Sequence, residues 1–174
     1  MKILIKKLDP NAIVPSQARE GDFCYDVVAT SCRHIGWRKW EYGIGLAFEI
    51  KRGDIVLGEW IEEVKVDGKA EFLKHSVIIP ESYFNKVKLD LDFRPRSSVH
   101  KTGLILSNCS GTLDELYRGE VKAIFYNITF GKRYKVGERI GQIKLGITLP
   151  LSFELVDELS KTERGTGGFG STGR

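Results

Sequence analysis

Short segments in which apolar and polar side chains alternate, each ended by turn residues, run through almost the whole chain. KILIKKL (Lys2–Leu8), CYDVVAT (Cys24–Thr30) and WEYGIGLAFEI (Trp40–Ile50) open the series. DIVLGEW, KVKLDLDF, TGLILSN, GEVKAIFYNITF, IGQIKLGI and LSFELVD continue it toward the C-terminus. A period of two places alternate side chains on opposite faces of a strand, whereas a helix would need apolar residues three and four apart. The segments recur at intervals of about 8–12 residues, the rhythm of an all-β sandwich or barrel. Asp67-Gly68, between EEVKV and KAEFL, is a two-residue hairpin signal. Helical periodicity is poor; a turn near Pro80–Phe84 or Thr112–Leu116 is the most that is expected. There is no internal repeat.

At 174 residues the chain is one domain's worth, able to bury a core of its own. It has no apolar run near the roughly 18 residues a membrane-spanning helix needs. The start, MKILIKKLD, holds too short an apolar stretch for a signal peptide, so a cytoplasmic location and no membrane partner are expected. Cys24, Cys32 and Cys109 make no CxxC pair, which argues against a disulfide framework or a zinc site. The net charge of +4 comes from interleaved signs, so no nucleic-acid partner is expected. A small polyanion held by a few arginines fits equally well.

Five stretches do not read as plain strand. GDFCYDVVA places Asp26 within apolar residues, and FRPRSSV joins two arginines to two serines. NCSGTLDELYRGE mixes small, acidic and aromatic residues at a turn. GERIGQIKL sets Gln142 within an apolar strand, and RGTGGFGSTGR closes the chain with five glycines among eleven residues. Each has a bland reading by itself: a surface Asp, an exposed loop, a hairpin with an ordinary ion pair, a flexible linker. Their order and spacing together point elsewhere.

The chain resembles the homotrimeric, all-β deoxyuridine triphosphatase (dUTPase) family, whose five motifs appear in order. GYDL corresponds to CYDV at Cys24–Val27, and PRSG to PRSS at Pro95–Ser98. NxxGxIDxxYRGE corresponds to NCSGTLDELYRGE at Asn108–Glu120. GxRIxQ is matched at Gly137–Gln142, and RGxGGFGSTG at Arg164–Gly173. Cys24 and Ser98 stand where glycine is usual, and Leu113 where isoleucine is. The stretch 51–93 is longer than in typical members and reads as an inserted hairpin. The resemblance implies a β-clip or distorted jelly-roll barrel over 1–163, with a flexible glycine-rich arm over 164–174.

It also implies Mg2+-dependent hydrolysis of dUTP to dUMP and pyrophosphate, which keeps uracil out of DNA and supplies dUMP for dTMP synthesis. Asp114 would activate the water attacking the α-phosphorus. Arg96, Ser97, Ser98 and Gln142 would meet the phosphates, with Arg164 reaching the terminal ones. Asp26 would act on the metal through a water. Asn108 and the backbone of Gly111, Thr112 and Leu113 would read the uracil edge, with Lys122 lining the same hairpin. Tyr117 would lie under the deoxyribose and reject UTP. Arg118 and Glu120 are read as structural, an ion pair at a subunit contact. Phe169 would stack on uracil while Gly170 and Ser171 close over the nucleotide. Each site would draw on three subunits.

Three alternatives make different demands. A dCTP deaminase of the same fold needs a glutamate base where this chain has Ile124, and isoleucine moves no protons. A binding or regulatory trimer would have lost Asp114, Tyr117 or the tail. A nucleic-acid-binding β-barrel would need a stripe of aromatic and basic residues.

Overall fold

The computed structural model describes residues 1–66, 69–108, 110–129 and 131–166. Twelve strands are present among them: β1 Lys2–Lys7, β2 Tyr25–Val28, β3 Ser31–Gly36, β4 Lys39–Gly43, β5 Leu46–Lys51 and β6 Ile55–Val66. They continue as β7 Lys69–Ile79, β8 Lys88–Arg94, β9 Leu104–Leu106, β10 Gly111–Asp114, β11 Lys122–Asn127 and β12 Arg139–Thr148. Short 3₁₀ turns occupy Glu81–Phe84 and Ser97–Lys101. No helix among the described residues is long and apolar enough to cross a membrane.

Two four-stranded antiparallel sheets, ordered β10-β8-β12-β2 and β3-β4-β11-β9, pack their apolar faces together. In the first sheet alternation sends Leu89, Leu91, Phe93 and Ile143 inward. In the second it buries Tyr42, Ala123, Phe125, Leu104 and Leu106. The rings of Tyr42 and Phe125 meet edge-on at 5.7 Å, a favoured aromatic geometry. β1 pairs with β5, adding Phe48 and Ile50 to the same core.

The expected barrel is not a closed ring of hydrogen bonds, because the described strands fall into four separate sheets. One cause lies in WEYGIGLAFEI, which reads as a single strand but is two. Gly45 has φ +66, where a side chain would be strained and would stand 2.6 Å from Cβ of Asp9. The chain bends there, and β4 and β5 join different sheets.

Three further differences have local causes. β3, SCRHIG, has little apolar signal and is held by pairing with β4. Thr112–Leu116 is not helical, because Gly111–Asp114 pairs with β8. LSFELVD forms no strand: Leu151, Phe153 and Leu155 are exposed and no described strand pairs with them. The hairpin expected within 51–93 is β6–β7, running from Ile55↔Ile79 to Val66↔Lys69. The Asp67-Gly68 turn lies outside the described residues, as does Cys109; Cys24 and Cys32 are free thiols.

Candidate active site

Two clusters of motif residues form at opposite edges of the β10-β8-β12-β2 sheet. The first is built around Asp26 on the edge strand β2. Register places Asp26 beside Gln142 of β12, and Gln142 beside Arg94 of β8. Asp26 is 6% exposed, and three side chains approach its carboxylate. Gln142 donates its amide to Oδ1 at 3.1 Å, and Arg139 donates Nη1 to Oδ2 at 3.0 Å. Arg96 Nε stands 3.0 Å from Oδ1. A buried carboxylate is tolerable when it is paired and hydrogen-bonded, and this one holds three side chains from two motifs in fixed places.

Beside this network lies a pocket of about 460 Å³ lined by Arg96, Ser98, Lys101, Lys132, Arg133 and Arg139, with Glu138 as the lining carboxylate. Glu138 accepts from the Lys135 backbone N–H at 2.7 Å. Gly137, at φ +89, makes the turn that returns the chain to β12. Arg133 is steadied by the Trp40 ring, 3.5 Å below its guanidinium. Burial raises the pKa of the Tyr134 phenol on the pocket wall, keeping it neutral and leaving the cations to set the potential. An anion with several negative oxygens is the matching ligand. Ser97 and Ser98 enter through the 3₁₀ turn that follows Arg96.

The second cluster is motif three. β10 pairs with β8 and has no strand on its other side among the described residues, so the outward backbone groups of Gly111–Leu113 have no described strand partner. Such an edge offers donors and acceptors at fixed spacing, able to read the rim of a flat heterocycle as it would another strand. Thr112 directs its hydroxyl to Asp92 at 3.1 Å, while Leu113 packs against the core. Asn108 is exposed beside Gly111. Asp114 ends the strand exposed, and its carbonyl accepts from Tyr117 N–H at 2.9 Å. The Tyr117 ring lies against Gly119, where a Cβ would come within 2.4 Å of the phenol oxygen, and its hydroxyl donates to the Glu120 carbonyl at 3.0 Å.

Other sequence-expected residues sit apart. Lys122 points its ammonium to Glu41 and Glu120, at 3.4 and 3.7 Å. Glu120 also accepts from Gly45 N–H at 3.0 Å, and Arg118 reaches Glu49 at 3.8 Å, so within the chain these two do not pair with each other. Arg164 is described, whereas Phe169, Gly170 and Ser171 lie outside the described residues. Sequence reasoning overlooked Arg139, Lys101, Lys132 and Arg133. Arg139 stands inside GERIGQ and the GKRYK run is visible, but nothing in either says that they line one pocket with Arg96.

Asp26 and Asp114 are three strands apart across the sheet and four register positions apart along it. At about 4.8 Å per strand and 3.4 Å per residue, their backbones stand roughly 20 Å apart. No single phosphorus lies within hydrogen-bond reach of both.

A family model described as dUTPase matches residues 92–173. The deoxyuridine 5'-triphosphate nucleotidohydrolase of Clostridium novyi is 33% identical, over 99% of this chain and 99% of its own. That of Nautilia profundicola is 32% identical over the full length of both. Among solved structures, Staphylococcus bacteriophage 80alpha dUTPase with dUPNHPP superposes at a TM-score of 0.66, with 20% identity and 99% of each chain covered. The dUTPase of phage phi11 of S. aureus superposes at 0.59, with 14% identity over 93% of this chain and 100% of its own. At these identities the two structures speak for the all-β fold.

Proposed function

The chain belongs to the dUTPase family, and on that premise we propose that it hydrolyses dUTP to dUMP and pyrophosphate. Asp114 takes a proton from the water that attacks the α-phosphorus, a general-base step typically worth about 10²–10⁴-fold. Phosphoryl transfer otherwise asks for positioning and charge neutralisation more than covalent chemistry. The observation that carries the reading is the buried Asp26 carboxylate gathering Gln142, Arg96 and Arg139 beside a cationic pocket. Arg96, Ser97, Ser98 and Gln142 bind the phosphates there, with Arg139 and Arg133 adding charge. The outer edge of β10, with Asn108, reads the uracil rim, and Tyr117 packs under the sugar. A pocket floor of this kind has no place for a 2′-hydroxyl.

The roughly 20 Å between the clusters supports a site shared between copies, the β10 edge of one chain facing the β2 edge of another in a homotrimer. The glycine-rich segment 164–174 closes the site, with Arg164 and Ser171 on the phosphates, Gly170 at the strap, and Phe169 on the uracil.

The residues fit a Mg2+ ion held chiefly by the substrate. No group of three or more His, Cys, Asp or Glu side chains among the described residues forms a protein cage. The Asp26 carboxylate, with three partners, keeps acceptor capacity for a water. That matches the habit of Mg2+ of keeping waters and binding phosphate oxygens. When bound, the ion spreads the negative charge of the triphosphate. A phage phi11 dUTPase variant coordinates a structural Mg(II) ion, in keeping with metal dependence.

The test is pyrophosphate release from dUTP, dTTP, dCTP and UTP, with and without Mg2+. Turnover confined to dUTP and Mg2+ is expected. Ammonia release from dCTP, or equal turnover of UTP, overturns the reading.

A further inference from the structure

Arg52 stands where β5 ends and the β6–β7 hairpin begins. Its guanidinium grips one carboxylate with two parallel bonds, Nε to Glu115 Oε1 at 2.9 Å and Nη2 to Glu115 Oε2 at 2.8 Å. The same head donates through Nη2 to the Val87 carbonyl at 3.1 Å and through Nη1 to the Phe84 carbonyl. Phe84 and Val87 belong to the segment returning from the hairpin to β8. One side chain thus ties both feet of the insertion to the residue beside Asp114. Both partners are about three-quarters buried, at 24% and 26% exposed. The Arg52 hydrogen bonds hold the Glu115 carboxyl below its usual value, and the Leu89 backbone N–H adds to the effect.

Asp114 needs such support. Among the described residues no side chain holds its carboxylate, so its direction follows from the backbone alone. Pairing with β8 fixes that backbone on one side, up to Asp114↔Asp90. Immediately beyond, the chain leaves the sheet, and Glu115 is where it is next anchored.

We propose that Arg52 and Glu115 are positioning residues: their two-pronged ion pair fixes the end of β10 and so aims Asp114 at the attacking water. The proposal rests on Asp114 acting as the base. It gives the inserted hairpin a mechanical tie to catalysis without placing any of its own side chains in the site. A misplacement of about 1 Å at a reacting group can cost on the order of 10²-fold.

The experiment measures kcat and KM for dUTP separately in the full chain, in Arg52→Met, in Glu115→Gln and in the double variant, with melting curves for each. Positioning predicts kcat lower by about 10- to 100-fold in each single variant while KM stays within about threefold. It also predicts that the double variant is no worse than the poorer single, because both act through one contact. Arg52→Lys, which keeps the charge but loses the fork, should recover only part of the loss. A merely structural pair would lower the melting temperature and leave kcat of the folded protein at its original value; that result overturns the proposal. If Arg52→Met does not fold, Glu115→Gln, nearly isosteric, decides alone. A full chain without dUTP turnover would overturn the reading of Asp114 and this clamp together. Normal turnover in the full chain with equal kcat in Glu115→Gln would overturn the clamp only.

Discussion

The two edges of the β10-β8-β12-β2 sheet solve opposite problems with the same local structure. At the β2 edge a buried carboxylate is surrounded by donors, and little is left unpaired around Asp26. At the β10 edge the backbone is left without a described strand partner and Asp114 without a described side-chain partner. Holding phosphate charge requires cations fixed before the ligand arrives, since reorganising them during the reaction would waste binding energy. Reading a base requires the reverse, open groups at strand spacing. A single sheet can present both, but only on opposite edges, and the proposed function makes these the two half-sites of each copy.

Substitutions should separate the two edges, and the largest effect belongs to β10. Asp114→Asn is expected to bind dUTP with KM little changed and to turn over about 10²–10⁴-fold more slowly. Steady-state kinetics beside an unchanged melting curve would check it. If the segment 164–174 completes the site as proposed, removing it should leave a folded protein whose turnover falls on the order of 10²-fold. At the β2 edge, Asp26→Ala should act on stability as well as binding. It leaves two guanidinium groups without their shared partner, at a cost of about 1–3 kcal/mol read by denaturant unfolding. The same variant should raise KM, which Asp114→Asn does not.

The smallest effect is a pH dependence at Glu115. Its carboxyl lies below its ordinary value of 4.5 because of the Arg52 hydrogen bonds. With the folded value the lower one, the pair's stabilisation is complete above pH 4.5 and fades as pH falls through that lower value. The melting-temperature gap between the full chain and Glu115→Gln should therefore hold from about pH 7 to about pH 5 and shrink progressively once the pH falls below the ordinary carboxyl value.

Most strands could be read from the sequence because alternation reports burial directly. Lys88–Arg94 runs exposed, buried, intermediate, buried in step with KLDLDFR. The motif residues were equally legible, since their types and order carry the chemistry. What escaped was decided by contacts distant in sequence. Gly111–Asp114 is a strand only because β8 lies beside it. The Arg52–Glu115 pair joins residues 63 positions apart, and the Arg139–Asp26 pair joins residues 113 apart. LSFELVD has a strand's pattern without a partner among the described residues, a reminder that alternation states a preference that pairing must satisfy.

Complementation tests the division between the edges most directly. Asp114→Asn chains carry an intact β2 edge, and Arg96→Ala chains an intact β10 edge. Each is expected to be nearly inactive alone. Unfolded together in equal amounts and refolded, they should regain about a quarter of the full chain's dUTP turnover, since random mixing places intact edges opposite one another in that share of sites. Turnover no higher than that of the separate variants would contradict a site built from two copies.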